Sequence, residues 1–359
     1  IMTQPLSELK KIIQKIIQEG HAAIVCGTGV SLSVVGTGVQ AASWPGLIEE
    51  TIKFVNRHQV EVADDNIQIL KQAVKTCCTE DFLNAYKIIA KILGGKKHSQ
   101  FQDWLNSTLG MLEKCNPTQY GLDLISKIEA LHLPILTTNL DGIIEEHTGR
   151  NAVVWSDEEA LLFIQAKAND EVDDKVFHLH GHYAHPLSVV LSDSDYDEHL
   201  ETKRIQIVQR GIFLTRSWIF IGCGQDGITD PDFGYLIKEF AAHLHDSQYP
   251  HFILCRDSDV SDFEKVIPKE IQMHPVSYGK EYGDLVPFLS ELVPYWAFDE
   301  GLPNLPGEYS LPRDEYTNSI INSLKESKSV VLHNTKAEDQ PKPGLSEGAL
   351  LHGMGGIGK

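Results

Sequence analysis

The sequence contains no apolar run of about 18 residues, so no segment is built to cross a bilayer as a helix. No signal-peptide-like apolar core follows Met2, and a membrane partner is not expected. Basic residues are scarce: 31 Lys and Arg stand against 50 Asp and Glu, a formal charge of −19. That balance argues against a broad nucleic-acid-gripping surface, which needs clustered Lys and Arg. It leaves room for one small anion in a local pocket lined by backbone N–H groups. The six cysteines include no Cys-x-x-Cys pair. Cys26 and Cys223 fall in apolar runs, where a thiol behaves as a small hydrophobe, and a reducing, cytoplasmic setting is expected. Internal repeats and low-complexity tracts are absent. What is present is length and apolar content: 359 residues at 42% hydrophobic, enough to bury a full core and to exclude global disorder.

Periodicity predicts an α/β chain. Leu6–Ile17 carries apolar residues at helical spacing. Short apolar runs predict strands at Ala22–Cys26, Pro134–Thr138, Val153–Trp155, Val176–Leu179, Ser188–Leu191, Trp218–Ile221, His251–Cys255 and Pro275–Tyr278. Helical patterns lie between several of them, notably Arg204–Phe213 and Phe233–Leu244. Such alternation means βα units: a Rossmann-like, mostly parallel sheet with helices on both faces. Between the first two core strands, residues 48–131 read as a helical insertion, opened by Ser43 as a helix cap with Pro45 in the first turn. Residues 1–300 are expected to form one domain and 301–312, rich in proline and glycine, a linker.

In an open parallel sheet, ligands bind at the carboxyl ends of the strands. Four predicted ends carry unusual residues. Gly27-Thr28-Gly29-Val30-Ser31 combines a tight turn with close backbone approach, suited to a pyrophosphate or simply to a strand-to-helix turn. Thr137-Thr138-Asn139-Leu140-Asp141 puts an amide and a carboxylate at the cleft mouth, although Asn139 or Asp141 could equally cap the helix that follows. Phe177-His178-Leu179-His180-Gly181-His182 offers either a metal site, with His178, His180, His182 and His185 as ligands, or one histidine working as a base. No acidic or cysteine ligand sits there at zinc-like spacing, so the base is preferred and no metal is expected. Gly222-Cys223-Gly224-Gln225-Asp226 is the fourth end, another glycine turn.

Taken in order, these motifs resemble the sirtuin superfamily, in its divergent sirtuin-like branch found in defence proteins. G-x-G-x-S at Gly27, Gly29 and Ser31, Ser43-Trp44-Pro45, T-T-N-x-D at Thr137–Asp141, His180-Gly181 and Gly222-Cys223-Gly224 span residues 20–295. The resemblance implies that Gly27, Thr28, Gly29 and Ser31 hold the NAD phosphates and that Thr138 and Asp141 contact the cofactor. It implies that Asn139 positions the nicotinamide ribose and the attacking water, and that His180 is the catalytic base. Gly222, Gly224 and Asp226 would line the adenosine side, where the match is poorest. Departures from the deacylases point to the reaction. No cysteine lies between Gly181 and Cys223, so the four-cysteine zinc module is missing. The Pro-x-Phe-Arg cofactor loop and the strand that pairs with an acyl-lysine peptide are unmatched too. Water is then the expected acceptor, and the expected reaction is hydrolysis of NAD to nicotinamide and ADP-ribose. The alternatives are a module that binds NAD or ADP-ribose without turnover, and a protein deacylase.

At the far end, Gly353-x4-Gly358-Lys359 fits the first seven positions of a P-loop, following the apolar Ala349-Leu350-Leu351. It resembles the opening of an NB-ARC or other STAND-type ATPase, and Leu311-Pro312-Arg313-Asp314 resembles its lead-in. Residues 313–359 are therefore expected to begin such a module. ATP and magnesium would belong only to a longer chain. Self-association through that module, on recognition of an unknown trigger ligand, is the implied partnership.

Overall fold

A computed structural model of the chain describes residues 6–36, 38–165, 172–228, 234–237, 249–269, 271–294, 330–333 and 349–352. The chain divides into two compact units, Ile1–Ala297 and Phe298–Lys359. The first is built on seven strands: β1 Ala22–Cys26, β2 Ile135–Thr137, β3 Asn151–Val154, β4 Lys175–His178, β5 Ser217–Ile221, β6 His251–Arg256 and β7 Met273–Gly279. They pair in parallel throughout, in the order β3-β4-β2-β1-β5-β6-β7. The expected α/β, Rossmann-like architecture is thus present.

Strand β1 shows why its sequence is a continuous apolar run. All five residues are buried. Ala22, Ile24 and Cys26 pack into one core, while Ala23 and Val25 pack into a second core on the opposite face. A strand covered on both faces cannot alternate with polar residues. The first core is closed by helices α1 Leu6–Gln18, α2 Thr28–Val35, α3 Trp44–Arg57, α4 Asp64–Thr76, α5 Thr79–Ile92, α6 Ser99–Thr108, α7 Gln119–Ala130 and α8 Ile143–Thr148, and by Leu285–Leu292. The second is closed by α9 Leu162–Gln165, α11 Lys203–Thr215 and Val260–Val266, with α10 Asp193–Glu201 preceding α11 in the chain.

The helical insertion runs from α3 to α7 and includes α4, a helix with only Leu70 and Ala73 buried, too weak a stripe to stand out in the sequence. Ser43 caps α3 as expected, its Oγ accepting from the Gly46 N–H at 3.2 Å, with Pro45 in the first turn. Helix α2 is a local surprise, because Thr28–Val35 mixes glycine with β-branched residues that disfavour helix. Tertiary packing imposes it: Val30, Ser31 and Val34 are buried, and α7 lies so close that a Cβ on Gly121 would collide with the Val34 main chain.

The strand expected at Ser188–Leu191 does not form. Pro186–Ser188 is a 3-10 turn instead. The donors of the next residues are spent locally: the Val190 N–H on the His180 carbonyl at 2.9 Å, and the Leu191 N–H on Asp195 Oδ2 at 3.2 Å. Of the helix expected over Phe233–Leu244, residues 234–237 are helical and the rest lies outside the described residues. The second unit contributes a parallel pair, Val330–His333 with Ala349–His352. The linker at 301–312 and the P-loop residues Gly353, Gly358 and Lys359 lie outside the described residues.

Candidate active site at the ends of the central strands

The four strand ends singled out in the sequence belong to β4, β2, β1 and β5, which are consecutive neighbours in the middle of the sheet. The carboxyl ends of β4, β2 and β1 open onto one shallow cleft, whereas Gly222, Gly224 and Asp226 after β5 are not among the described residues that line it. Thr28, Thr138, Asn139, Asp141 and His180 line it from the sheet side, and Trp44, Leu47, Tyr86 and Leu109 line it from the helical insertion. The Tyr86 hydroxyl donates to the Trp44 carbonyl at 2.9 Å and the two rings meet edge to face, so this wall is one fixed aromatic block.

Asn139 is buried and its side chain is fully oriented. Nδ2 donates to the Gly27 carbonyl at 3.0 Å and to Ser31 Oγ at 2.8 Å, while the main-chain N–H donates to Thr137 Oγ1 at 3.0 Å. Both amide hydrogens are therefore used on the protein. Among the described residues Oδ1 has no partner, and it is the acceptor left for a bound molecule. Asn139 does not cap α8. Asp141 does so in part, since the Ile143 N–H donates to its Oδ1 at 3.2 Å. Its main contact is Ser31, whose Oγ lies 3.0 and 2.9 Å from the two carboxylate oxygens. Burial raises the Asp141 carboxyl, the Ser31 and Ile143 hydrogen bonds pull it back, and the balance lies at about 6. Ser31 is thus a fully buried link between Asn139 and Asp141 and does not line the cleft.

His180 lines the cleft, buried, with its ring edge-on to Tyr196 at 5.5 Å and to His199 at 6.3 Å. Gly181 turns the chain away at φ +86°, and a Cβ there would collide with the Ser188 carbonyl oxygen. His178, which the sequence offered as a co-ligand of His180, has different partners. Its Nδ1 contacts the Asn139 main-chain carbonyl at 2.8 Å and its Nε2 contacts Glu145 Oε1 on α8 at 2.6 Å. Burial lowers the His178 ring, but the Glu145 carboxylate, the Asn139 carbonyl and Asp141 together raise it above its ordinary value. His182 accepts from the Ala184 N–H through Nδ1 at 3.2 Å, and burial, with the His178 and His185 charges, lowers it to about 2. Among the described residues no His, Cys, Asp or Glu group is arranged to hold a metal ion.

The sequence left the glycine turns open to two readings, a pyrophosphate cradle or a strand-to-helix turn, and their backbone contacts are those of the turn. The Gly27 N–H donates to the Ile221 carbonyl and the Gly29 N–H to the Gly222 carbonyl, each at 2.9 Å. These two donors are used on β5 and the turn that follows it. A Cβ on Gly29 would fall 2.8 Å from the Gly222 oxygen, so the glycines let two backbone turns interlock. Gly224 has open space around it, and Asp226 lies in the short helix Gln225–Ile228 with its side chain outside the described residues.

Glu145 and Tyr86 carry no site signal in the sequence, whereas Trp44 lies in the Ser43-Trp44-Pro45 motif. Glu145 follows Asp141 by four residues, a spacing that looks like an ordinary solvated helix face. Trp44 and Tyr86 lie far from the strand ends in the chain, and nothing local links them to each other.

Residues 134–274 match the family model described as SIR2-like domain. That span runs from β2 to the start of β7 and contains Asn139, Asp141, His180 and Gly222. The chain is 25% identical over 259 residues to a protein named NAD(+) hydrolase ThsA from Enterococcus faecium, covering 69% of this chain and 46% of that one. It is also 25% identical over 280 residues to NAD(+) hydrolase ThsA from Bacillus cereus (strain MSX-D12), covering 74% of this chain and 51% of the relative. The chain thus spans about half the length of the curated relatives it matches.

Proposed function

We propose that this chain hydrolyses NAD, cleaving the nicotinamide–ribose bond with water as the acceptor. The observation that carries the reading is the convergence of Asn139, Asp141 and His180 on one cleft, with the Asn139 Oδ1 buried and left to accept. As the C1′–N bond breaks, its electron pair neutralises the pyridinium, and nicotinamide leaves. The ribose carries the positive charge as an oxocarbenium-like ion, as in glycoside hydrolysis. Water then bonds to C1′ and its proton passes to His180, giving ADP-ribose. Asn139 Oδ1 accepts from the ribose hydroxyl or the water and fixes the angle of attack. Thr28, Thr138 and Asp141 would contact the dinucleotide from the sheet side. Gly27, Gly29, Ser31, Gly222, Gly224 and Asp226 would act behind or beside that contact, through the interlocked turns.

The names of the two relatives support the chemistry, and the SIR2-like match supports the site. We extend the proposal to setting: a cytoplasmic defence effector joined to a STAND-type, NB-ARC-like ATPase that self-associates when a trigger ligand binds. Its support is the P-loop pattern Gly353-x4-Gly358-Lys359, which follows directly on the strand Ala349–His352. ATP and magnesium would bind in that module, whereas the first unit needs neither.

Chromatographic measurement of nicotinamide release tests the reading. Asn139→Ala and His180→Ala should each lower the rate by about 100-fold or more in protein that hydrolyses NAD. Activity retained in either variant would remove the mechanism. NAD bound tightly without nicotinamide release, in the longest available chain, would replace it with the sensing alternative.

A further inference from the structure

A buried histidine–carboxylate pair lies directly behind the cleft. His178 is fully buried on the last residue of β4, and Glu145 reaches it from α8. A carbonyl oxygen can only accept, so the 2.8 Å contact requires a proton on His178 Nδ1, donated to the Asn139 main chain. The other nitrogen sits 2.6 Å from a carboxylate. A ring held this way has both its tautomer and its rotation fixed, and its carbonyl partner is fixed with it. Asn139 is the residue so gripped: Thr137 holds its N–H, His178 its carbonyl, and Gly27 and Ser31 its side-chain amide.

We infer that His178, clamped by Glu145, is a positioning residue that holds the Asn139 main chain so that its Oδ1 meets the substrate at the productive angle. His178 touches no part of the cleft itself; it is not among the lining residues. Around its ring stand Glu145 on α8, Asp141 in the loop after β2, and His182, whose ring meets it edge-on at 4.7 Å. Burial holds His182 neutral, so the groups acting on the His178 ring as charges are the carboxylates of Glu145 and Asp141.

The kinetic consequence rests on the hydrolase reading, whereas the positional consequence does not. Asparagine places an amide nitrogen on the atom bonded to Cγ, as Nδ1 is; glutamine places one further out, as Nε2 is. His178→Asn can keep the donor to Asn139, and His178→Gln can keep only the Glu145 contact. Hydrogen exchange of the peptide covering residues 137–143 should remain close to the parent in His178→Asn and rise clearly in His178→Gln. In the same samples kcat for nicotinamide release should fall about tenfold or more in His178→Gln with KM little changed, and be largely restored in His178→Asn. His178→Phe, which strands Glu145, should behave as His178→Gln or worse. If it does not fold, the Asn-against-Gln comparison still decides. Equal exchange in the two variants, or a larger loss in His178→Asn, overturns the positioning role, because a purely structural polar residue would not care which nitrogen is kept. Altered exchange with unchanged kcat overturns its link to the reaction. A parent protein that releases no nicotinamide fails the hydrolase reading alone, with exchange still deciding the clamp.

Discussion

Asp141 shows at the residue scale how the cleft trades stability for chemistry. It is buried, its contacts are a hydroxyl and a main-chain N–H, and its carboxyl titrates at about 6 against an ordinary 3.8. A carboxyl raised in the folded state binds its proton more tightly there than in the unfolded chain. Its contribution to stability is therefore fully present below about pH 4 and is lost as pH rises through about 6. The loss is on the order of 3 kcal/mol at most, since each tenfold gain in proton affinity is worth about 1.4 kcal/mol. Asp141→Asn removes the titration while an amide oxygen still accepts from Ser31 and Ile143. Urea unfolding of both proteins between about pH 4 and 7 should show the parent losing ground steadily to Asp141→Asn across that window. Parallel curves would mean that Asp141 is solvated in the folded protein and exerts no such tension.

At the scale of elements, the interlocked turns after β1 and β5 set the entry of α2, and with it Ser31. Gly222 adopts φ +68°, and a Cβ on it would fall 2.7 Å from the Val30 N, whereas Gly224 has no neighbour within 4 Å. Gly222→Ala should cost about 1–2 kcal/mol for the left-handed backbone alone, and more as α2 is displaced. Gly224→Ala should stay within about 0.5 kcal/mol, the usual range for a surface change. Chemical denaturation of the two variants checks this, and equal costs would mean the turns do not interlock. Much of this level was legible beforehand. Continuous apolar runs identified β1, β2, β4 and β5, and polar residues following β1, β2 and β4 line the cleft. Helix α2 was not legible, because its glycine and valines oppose helix locally and only packing against α7 enforces it. Nor was the Glu145–His178 clamp: a glutamate one turn after a strand-end loop carries no signal until the fold turns it inward. The Gly27 and Gly29 spacing was visible, but the sequence could not tell whether their N–H groups face a phosphate or a neighbouring turn.

Electrostatics of the whole molecule fixes the remaining prediction. Under the proposed reaction, a chain of formal charge −19 binds a dinucleotide that is itself anionic. Basic proteins solve this with lysine and arginine against the phosphates, and they lose affinity as salt rises. Here none of the described residues lining the cleft is a lysine or arginine, and the charged residue among them is Asp141. On that reading, attraction for the phosphates would come from short-range donors such as Thr28 and Thr138, while the surrounding field repels. Salt screens the long-range repulsion more than it weakens hydrogen bonds inside the cleft. KM for NAD should accordingly stay level or fall by about two- to threefold between about 20 and 200 mM salt. Steady-state nicotinamide release across that range measures it, with kcat serving as the control for changes in the chemical step. A KM that climbs steeply with salt would place a cationic phosphate site in the binding path and would move the dinucleotide away from the cleft beside Asn139.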